Sequence, residues 1–437
     1  MKQQNDMANI QTPGLNPFLP FDLYIPDGEP KVFGNRVYLY GSLDKENGSY
    51  CSREYHVVSA PVDDLTDWTD HGVSFSSDLV PWSNAALYAP DVLFHGGRYY
   101  LFFCMADGSE GVAQSDFPQG PFVQPRRITL AGEPITGIDP SVLEDDGHIY
   151  YTWGQFSLQM GELADDLCSL KPETVRSDAL SNADGREGFH EGSSLRKLGK
   201  RYCMIYASEY AAAFPHHGAR PTKLDYALSE SPFGPYVRRG TVIDNEGCDP
   251  STWNNHGSVL KIGSEWYVFY HASSANGAYL RRARAEKLQV DEENGVIAQA
   301  KPTTNGFVPI LLPEMITSPL HACRFFGFAY TQEISNGVFA ALLPGAGAGF
   351  SFSPIRFETG NYSLTVHYRA SKDVRVRVQL GTQSTEPQLL PANETGGCVT
   401  IPLTAAAGVF PLSFERTDAA EDAACAIVRL NLRESTH

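Results

Sequence analysis

The stretch FGNRVYLYGS (33–42) recurs four more times in altered form, and this repeat indicates the architecture of the chain. The related stretches are GGRYYLFFC (96–104), DDGHIYYTWG (145–154), LGKRYCMIYAS (198–208) and IGSEWYVFYHAS (262–273). Each is a glycine-bearing turn followed by a strand in which aromatic and aliphatic residues alternate. Aligned on Val37, Tyr99, Ile149, Tyr202 and Trp266, they succeed one another at steps of 62, 50, 53 and 64 residues. Repeats of about 50 residues are typical of propeller blades, each a four-stranded sheet.

The repeat predicts an all-β chain whose residues 17–312 form a five-bladed β-propeller. Later strands of the units also match, since VAQSDFPQGPF (112–122) resembles YALSESPFGPY (226–236). A β-sandwich with chance similarity is the alternative. Five matches in both turn and strand favour the propeller.

The pattern changes after Pro313. Residues 313–437 contain shorter strand candidates, among them NYSLTVHYRA (361–370), VRVRVQLG (374–381) and CAIVRLNLR (425–433). We expect a small β-sandwich domain there and an N-terminal extension over residues 1–16. The junction at 303–320 is apolar for a linker, so we expect the two domains to pack together.

Composition narrows the possible partners. The chain has 437 residues, 34 Lys and Arg against 51 Asp and Glu, and a net charge of -17. Nucleic acids and anionic membranes attract basic surfaces, so neither is an expected partner. The eight cysteines form no CxxC motif, which argues against zinc and dithiol redox sites. The first seventeen residues lack a basic region followed by an apolar core, so we expect a cytoplasmic protein.

An ionisable residue precedes every repeated strand by eight to eleven positions. These residues are Asp27, Asp91, Asp139, Glu191 and His256. Equivalent positions of successive blades surround the central channel of a propeller, so we expect these side chains to face one funnel. Clustered carboxylates raise one another's pKa, which keeps a general acid protonated, and paired carboxyl groups catalyse glycoside hydrolysis. The alternative is that they are turn-forming residues on the blade rims.

Several motifs, in order and in the appropriate blades, resemble those of family 43 glycoside hydrolases. They are NPFLPFDLYIPDGEPKVFGNRVYLYGS (16–42), YAPDV (88–92), GIDPSVLEDDG (137–147), HEGSS (190–194) and NNHGSV (254–259). The resemblance covers about residues 15–305. It implies a five-bladed propeller and an inverting enzyme that acts on arabinose- and xylose-containing glycans. A trailing β-sandwich in this family often resembles a family 6 carbohydrate-binding module.

The resemblance also implies roles for individual residues. The catalytic base falls on Asp27, the general acid on Glu191, and the Asp that modulates the acid's pKa on Asp139. Because the first motif reads Asp27-Gly28-Glu29-Pro30 rather than Asp-Pro, Glu29 and Asp22 remain alternatives for the base. Two further positions carry over: the active-site arginine, as Arg281 or its neighbour Arg282, and the blade-five histidine, as His256. No cofactor is required for the chemistry, and a structural calcium ion near His256 is possible.

Substrate-binding candidates come mainly from aromatic residues near these motifs. Trp82, Tyr88 and Trp153 could form a platform for a sugar ring, although blade packing is the other interpretation. Asp91 could bind substrate or tie a turn, and Phe189, beside His190, could line the pocket. A weaker candidate is a metal site at His216 and His217. Another is sugar stacking on Tyr362 and Tyr368 of the sandwich, although both tyrosines lie in a strand pattern that is more typical of core residues.

Together these features predict an exo-acting glycosidase that trims short plant-derived oligosaccharides. The expected activities are α-L-arabinofuranosidase and β-D-xylosidase. The alternatives are a related propeller furanosidase acting on galactofuranosides or, with retention, on fructosides, and a catalytically silent sugar-binding propeller. An oligosaccharide is the expected partner, and the sequence leaves the oligomeric state open.

Overall fold

The computed structural model describes residues 10–45, 50–180, 188–209, 222–248, 254–274, 280–419 and 423–435. Within these ranges the chain is built of β-strands and contains no α-helix; the only helical elements are four 3-10 turns, at Ser77–Leu79, Pro172–Thr174, Pro313–Met315 and Pro319–His321. The prediction of an all-β chain is confirmed for this part of the molecule. None of its helical segments is long and apolar enough to cross a membrane.

Five sheets follow one another along residues 29–288. The first contains β1 (Glu29–Phe33), β2 (Arg36–Tyr40), β3 (Glu54–Pro61) and β4 (Thr69–Ser76), and the second β5 (Leu87–His95), β6 (Arg98–Met105), β7 (Glu110–Ser115) and β8 (Val123–Arg127). The third contains β9 (Thr129–Leu130), β10 (Glu133–Pro134), β11 (Ser141–Asp145), β12 (His148–Trp153), β13 (Gln159–Leu163) and β14 (Ser169–Leu170). The fourth contains β15 (Phe189–Leu198), β16 (Arg201–Ser208), β17 (Lys223–Ser229) and β18 (Val237–Asp244), and the fifth β19 (Ser258–Ile262), β20 (Glu265–Ala272) and β21 (Arg282–Leu288). A two-stranded ladder of β22 (Val290–Asp291) and β23 (Val296–Ile297) comes next.

The repeated stretches form the second described strand of four sheets and β12 of the third, and both faces of these strands are buried. In β2, Val37 and Leu39 belong to one apolar cluster, whereas Tyr38 and Tyr40 on the opposite face belong to another. Alternation of two apolar sets is what a sheet packed between two neighbours requires. The repeat therefore reflects sheets that are covered on both sides.

Each sheet shares an apolar core with the next, and the fifth shares one with the first. The closing cluster brings Val37, Leu39 and Val58 of the first sheet against Phe269 and Ala283 of the fifth. A parallel bridge between Gly28 and Gly257, just ahead of β1 and β19, joins the same two sheets. The starts of β1 and β19 are therefore neighbours, although they lie far apart in sequence.

Two further sheets occupy the C-terminal part and share one core. The larger contains β24 (Arg324–Phe326), β27 (Gly349–Phe357), β29 (Val374–Leu380), β30 (Gln383–Ser384), β31 (Gln388–Leu390) and β33 (Gly408–Arg416). The smaller contains β25 (Tyr330–Ser335), β26 (Val338–Leu342), β28 (Gly360–Ala370), β32 (Asn393–Ala405) and β34 (Cys425–Glu434). Tyr362 and Tyr368 are buried in their common core, so neither ring is presented for sugar stacking.

The C-terminal sheets contact the preceding part of the chain, as expected from the apolar junction. The Thr331 N–H donates to the Ser274 carbonyl at 2.7 Å, and the Phe325 N–H donates to the Cys248 carbonyl at 2.7 Å. Leu15 lies in the shared core of the two C-terminal sheets. The segment 10–16 also contacts the fifth sheet, since Asn16 Nδ2 donates to the Ala285 carbonyl of β21 at 2.9 Å.

Candidate active site

A cavity of about 520 Å³ opens where the first strands of the sheets begin. Its described lining includes five residues expected from the sequence, namely Asp27, Tyr88, Asp139, Glu191 and His256. It also includes five that the sequence did not identify as site residues, namely Tyr50, Ile138, Gln155, His190 and Asn254. Three carboxyl groups therefore share one small enclosure.

Asp27 is held as a carboxylate by its neighbours. It stands just ahead of β1 with a left-handed backbone (φ 59°), a conformation that Asp tolerates better than most residues. Its Oδ1 lies 2.8 Å from Arg281 Nη1, and its Oδ2 accepts a 2.6 Å hydrogen bond from the Ser42 hydroxyl. Burial alone would raise the pKa of Asp27, but Arg281, with help from His256 and His271, lowers it to about 2. Asp27 is therefore ionised at neutral pH.

Arg281 is itself fixed by a second carboxylate. Its Nε and Nη2 bind the two oxygens of Asp44 at 2.9 and 3.0 Å, and its guanidinium lies 4.2 Å from the Tyr50 ring centre. Bidentate pairing fixes both the position and the plane of the guanidinium. The neighbouring Arg282 is directed elsewhere, toward the Phe21 carbonyl and Thr331. Of the two candidate arginines, Arg281 is thus the one in contact with Asp27.

Glu191 lies across the cavity in β15, next to a β-bulge. Gln155 Nε2 donates to its Oε2 at 2.8 Å, and Asn254 Nδ2 donates to its Oε1 at 3.3 Å. The Asn254 side chain is oriented by His271, whose Nε2 donates to Asn254 Oδ1 at 2.9 Å while its Nδ1 accepts from the Asp27 N–H at 3.2 Å. Burial and Arg281 lower the pKa of His271 to about 3, so its neutral ring can accept that bond. Hydrogen bonds thus connect the surroundings of Asp27 and Glu191.

Asp139 is the protonated member of the group. It precedes β11, also with a left-handed backbone (φ 56°), and its Oδ2 accepts from the Gly192 N–H at 3.0 Å. Burial, followed by the charges of Glu191 and Asp27, raises its pKa well above the ordinary value. Asp139 therefore retains its proton in a pH range where Asp27 has lost its own.

His256 lies beneath the three carboxyl groups. Its Nδ1 is 3.7 Å from Asp27 Oδ1 and 3.9 Å from Asp139 Oδ2, and burial lowers its pKa. Calcium takes six to eight oxygen ligands. Both nearby carboxyl groups already accept from protein donors, Arg281 and the Gly192 N–H, and the described residues form no group of three or more His, Cys, Asp or Glu suited to a metal. These residues do not fit a calcium ion at His256, and no step below uses one.

The alternatives for the base lie outside the cavity lining. Asp22 is exposed on the surface. Glu29, in β1, is buried against Arg196 and accepts a 3.2 Å hydrogen bond from the Ser194 hydroxyl. Among the three candidates, only Asp27 lines the cavity.

Four of the predicted substrate-binding residues are placed in packing positions. Trp82 stacks on Phe103 with centroids 6.4 Å apart, and Trp153 and Phe189 belong to the cores between sheets. None of these three rings belongs to the described lining of the cavity. Asp91 is fully buried and pairs with Lys31 at 2.7 Å, while accepting from the Val142 N–H at 2.9 Å. It ties together β1, β5 and β11.

Four of the five lining residues that the sequence missed lie on connections between strands, and the fifth, His190, lies in β15. Asn254, two positions before His256 in the NNHGSV motif, was the easiest to find. Gln155 and Tyr50 lie outside any strand, where no periodicity indicates direction. His216 and His217, considered for a metal, are outside the described residues.

Comparison with known proteins agrees with this geometry. Over 353 residues the chain is 33% identical to a xylosidase/arabinosidase of Thermoclostridium stercorarium, a match that covers 71% of this chain and 72% of that protein. Among solved structures, it is similar to a β-xylosidase/α-arabinofuranosidase from a compost microbial metagenome, solved with xylotriose in a calcium-free form (26% identity, TM-score 0.56, 67% of this chain and 99% of that one). An arabinoxylan arabinofuranohydrolase of Bacillus subtilis matches 98% of this chain and 99% of its own with a TM-score of 0.56, but at 21% identity it shows the fold alone.

The match to a family extends over most of the five sheets. Residues 16–295 match the glycosyl hydrolases family 43, and this range includes Asp27, Asp139 and Glu191. Because the matched range is well over half of the chain, this protein belongs to family 43 of the glycosyl hydrolases.

Proposed function

We propose that this chain is an inverting, exo-acting glycosidase that releases terminal pentoses from short oligosaccharides, as an α-L-arabinofuranosidase and a β-D-xylosidase. The observation that carries the proposal is the contrast between two carboxyl groups of one cavity. Asp27 is ionised by Arg281, whereas Asp139 beside Glu191 keeps a proton. Opposite protonation states within one site are what acid–base hydrolysis of a glycoside needs. The relatives named xylosidase/arabinosidase support pentoses as the substrate.

The proposed reaction is a single displacement. Asp27 takes a proton from a water molecule as the water oxygen bonds to the anomeric carbon. Glu191 gives its proton to the glycosidic oxygen as the bond from that oxygen to the anomeric carbon breaks. The ion pair with Arg281 holds the base in place, and Asp139, which keeps its proton beside Glu191, is the source of the proton that Glu191 donates. Proton exchange with water then restores both groups, and no metal or cofactor enters a step.

The architecture that we propose for this function is a closed propeller of five blades over residues 17–312. The shared cores between successive sheets and the bridge between Gly28 and Gly257 support it. We further propose that residues 313–437 form a β-sandwich with a structural role, supported by the burial of Tyr362 and Tyr368. A cytoplasmic location, with short imported substrates, remains part of the proposal.

The experiment is hydrolysis of an aryl α-L-arabinofuranoside, an aryl β-D-xyloside and a natural pentose disaccharide, with NMR of the first anomer released. We expect turnover with inversion. Glu191→Gln should abolish disaccharide hydrolysis and spare part of the aryl glycoside turnover, because an activated leaving group needs little protonation. Retention would favour the fructoside-type mechanism, and sugar binding without turnover by a folded protein would favour a silent propeller.

A further inference from the structure

A β-bulge turns two consecutive residues of β15 into the cavity. Phe189 pairs with Ser208 and Glu191 pairs with Ala207, so His190 is an extra residue between two successive partners. Neighbouring residues of a regular strand point to opposite faces, whereas a bulge redirects one of them. As a result, both His190 and Glu191 line the cavity.

A buried carboxylate fixes the orientation of the His190 ring. Glu209, 2% exposed and just past β16, binds His190 Nδ1 with one carboxylate oxygen. A carboxylate oxygen accepts hydrogen bonds, so we assign the ring hydrogen to Nδ1. The Phe156 ring packs edge-on against the imidazole with centroids 4.8 Å apart, and the Phe156 N–H donates to the His190 carbonyl at 2.6 Å. The opposite ring nitrogen, Nε2, is thereby directed toward Glu191, 3.7 Å from its Oε2.

The two oxygens of Glu191 face different sides of the site. Its Oε1 meets Asn254, which also bonds the Tyr50 hydroxyl at 3.1 Å, and that hydroxyl accepts from Arg281 beside Asp27. Its Oε2 meets Gln155 and faces His190. In an inverting site, the base and the leaving group lie on opposite sides of the anomeric carbon. Because Asn254 and Tyr50 connect Oε1 to the side of Asp27, we assign the leaving group to the side of Oε2.

We propose that His190, oriented by Glu209, binds a hydroxyl group of the leaving-group sugar through Nε2 and so selects substrates whose leaving group is itself a sugar. The inference rests on the proposed function. The separation of 3.7 Å from Glu191 Oε2 is too long for a direct hydrogen bond, so Nε2 remains available to a ligand. A sugar hydroxyl both donates and accepts, so it can bind Nε2 whichever protonation state the ring adopts.

Two substitutions at His190 separate this role from a structural one. In His190→Asn the amide takes the place of Nδ1 and can still donate to Glu209, but the group facing the cavity is lost. In His190→Gln the amide takes the place of Nε2 instead. We expect His190→Asn to lower kcat/KM for a pentose disaccharide by about 10- to 100-fold, the usual effect of losing one substrate hydrogen bond in a closed site. Hydrolysis of an aryl glycoside, whose leaving group carries no sugar hydroxyl, should change by less than about 3-fold, and His190→Gln should recover part of the loss.

Glu209 should act only through His190. Glu209→Gln alone should lower disaccharide hydrolysis selectively, and it should add no further loss of selectivity in the His190→Asn background. The pH profile with the aryl glycoside should keep both limbs. Equal losses on both substrates, a displaced basic limb or no loss at all would overturn the inference while leaving the proposed function intact. If the folded wild-type chain hydrolyses neither substrate, both fail together.

Discussion

Arg281 Nη1 lies 2.8 Å from Asp27 Oδ1 in an enclosure where the arginine side chain is fully buried and the aspartate side chain is 6% exposed. The same guanidinium is anchored by Asp44, so its charge cannot swing away from Asp27. A buried cation at this distance favours the carboxylate strongly and offsets the cost of burying it. The pair thus determines the protonation state of the proposed base.

Arg281→Gln should therefore raise the pKa of Asp27, because burial, which raises it, would no longer be opposed by the main charge that lowers it. We expect the acidic limb of kcat/KM for an aryl glycoside to move up by at least about one pH unit. Two carboxylates would lose their buried partner, so the free energy of unfolding should also fall by about 3–5 kcal/mol. The rates are measured at a temperature at which circular dichroism shows the variant folded.

Arg282→Gln is the matched control. Arg282 is equally buried and adjacent in sequence, but it binds the Phe21 carbonyl, Ser274 and Thr331. Arg282→Gln should lower the free energy of unfolding but leave the acidic limb of the kcat/KM profile in place. The same displacement in both variants would show that lost stability, and not the charge on Asp27, governs the profile.

Asp27→Asn should lower activity toward both substrates alike, in contrast to Glu191→Gln. Activation of the water is needed whatever the leaving group, so we expect kcat to fall by about 10²–10⁴-fold on the disaccharide and on the aryl glycoside alike. Steady-state rates on the two substrates give the comparison. If Asp27→Asn spared the aryl glycoside, Asp27 would be acting on the leaving-group side and the assignment of base and acid would be reversed.

Asp139→Asn should move the basic limb of the pH profile to lower pH. The raised pKa of Asp139 arises from burial together with the charges of Glu191 and Asp27, so Asp139 releases its proton only at high pH. An amide at position 139 has no proton to hold or to pass on, so the site should lose its acid at lower pH. The profile of kcat/KM with the disaccharide measures this, and an unchanged basic limb would remove Asp139 from any role in proton retention.

Substituting one core residue and one cavity residue by leucine tests which aromatic side chains pack between sheets and which bind substrate. Trp153 lies in the core between the second and third sheets, whereas Tyr88 lines the cavity. Trp153→Leu should lower the free energy of unfolding by about 2–4 kcal/mol with little change in kcat/KM. Tyr88→Leu should raise KM and have little effect on the free energy of unfolding. Denaturant unfolding and steady-state kinetics on both variants measure these effects. A rise in KM for Trp153→Leu with unchanged stability would show that the Trp153 ring contacts the substrate.

The repeat predicted the sheets and the ionisable positions because both depend on short-range periodicity. The repeat located the three carboxyl residues because each lies near the start of a strand. Asp27 lies just before β1, Asp139 just before β11, and Glu191 near the start of β15. The direction of a side chain was harder to predict. Trp153 and Phe189 follow the alternating pattern of their strands, but they face neighbouring sheets. His190 reaches the cavity through a β-bulge that the sequence pattern does not predict. Tyr50 and Gln155 depend on connections whose paths are set by tertiary contacts.

Glu110 provides a pH test of stability that is independent of catalysis. It is buried in β7, its Oε2 accepts from the Tyr151 hydroxyl, and its Oε1 has no hydrogen-bond partner among the described residues. Burial raises its pKa from 4.5 to about 8, against the smaller lowering effect of Tyr151. Between these two values the folded state holds a proton that the unfolded chain has lost, so stability falls as the pH rises from 4.5 to about 8.

Glu110→Gln should remove this contribution, because an amide oxygen can still accept from Tyr151 but has no proton to lose. Relative to wild type, the variant should gain stability progressively across this range and be more stable by about 2–4 kcal/mol at pH 8. Urea unfolding at several pH values measures the difference, with Glu265→Gln, a half-exposed position paired with Lys287, as the control for the substitution itself. A difference between Glu110→Gln and wild type that stays constant across the pH range would mean that Glu110 titrates alike in the folded and unfolded chains.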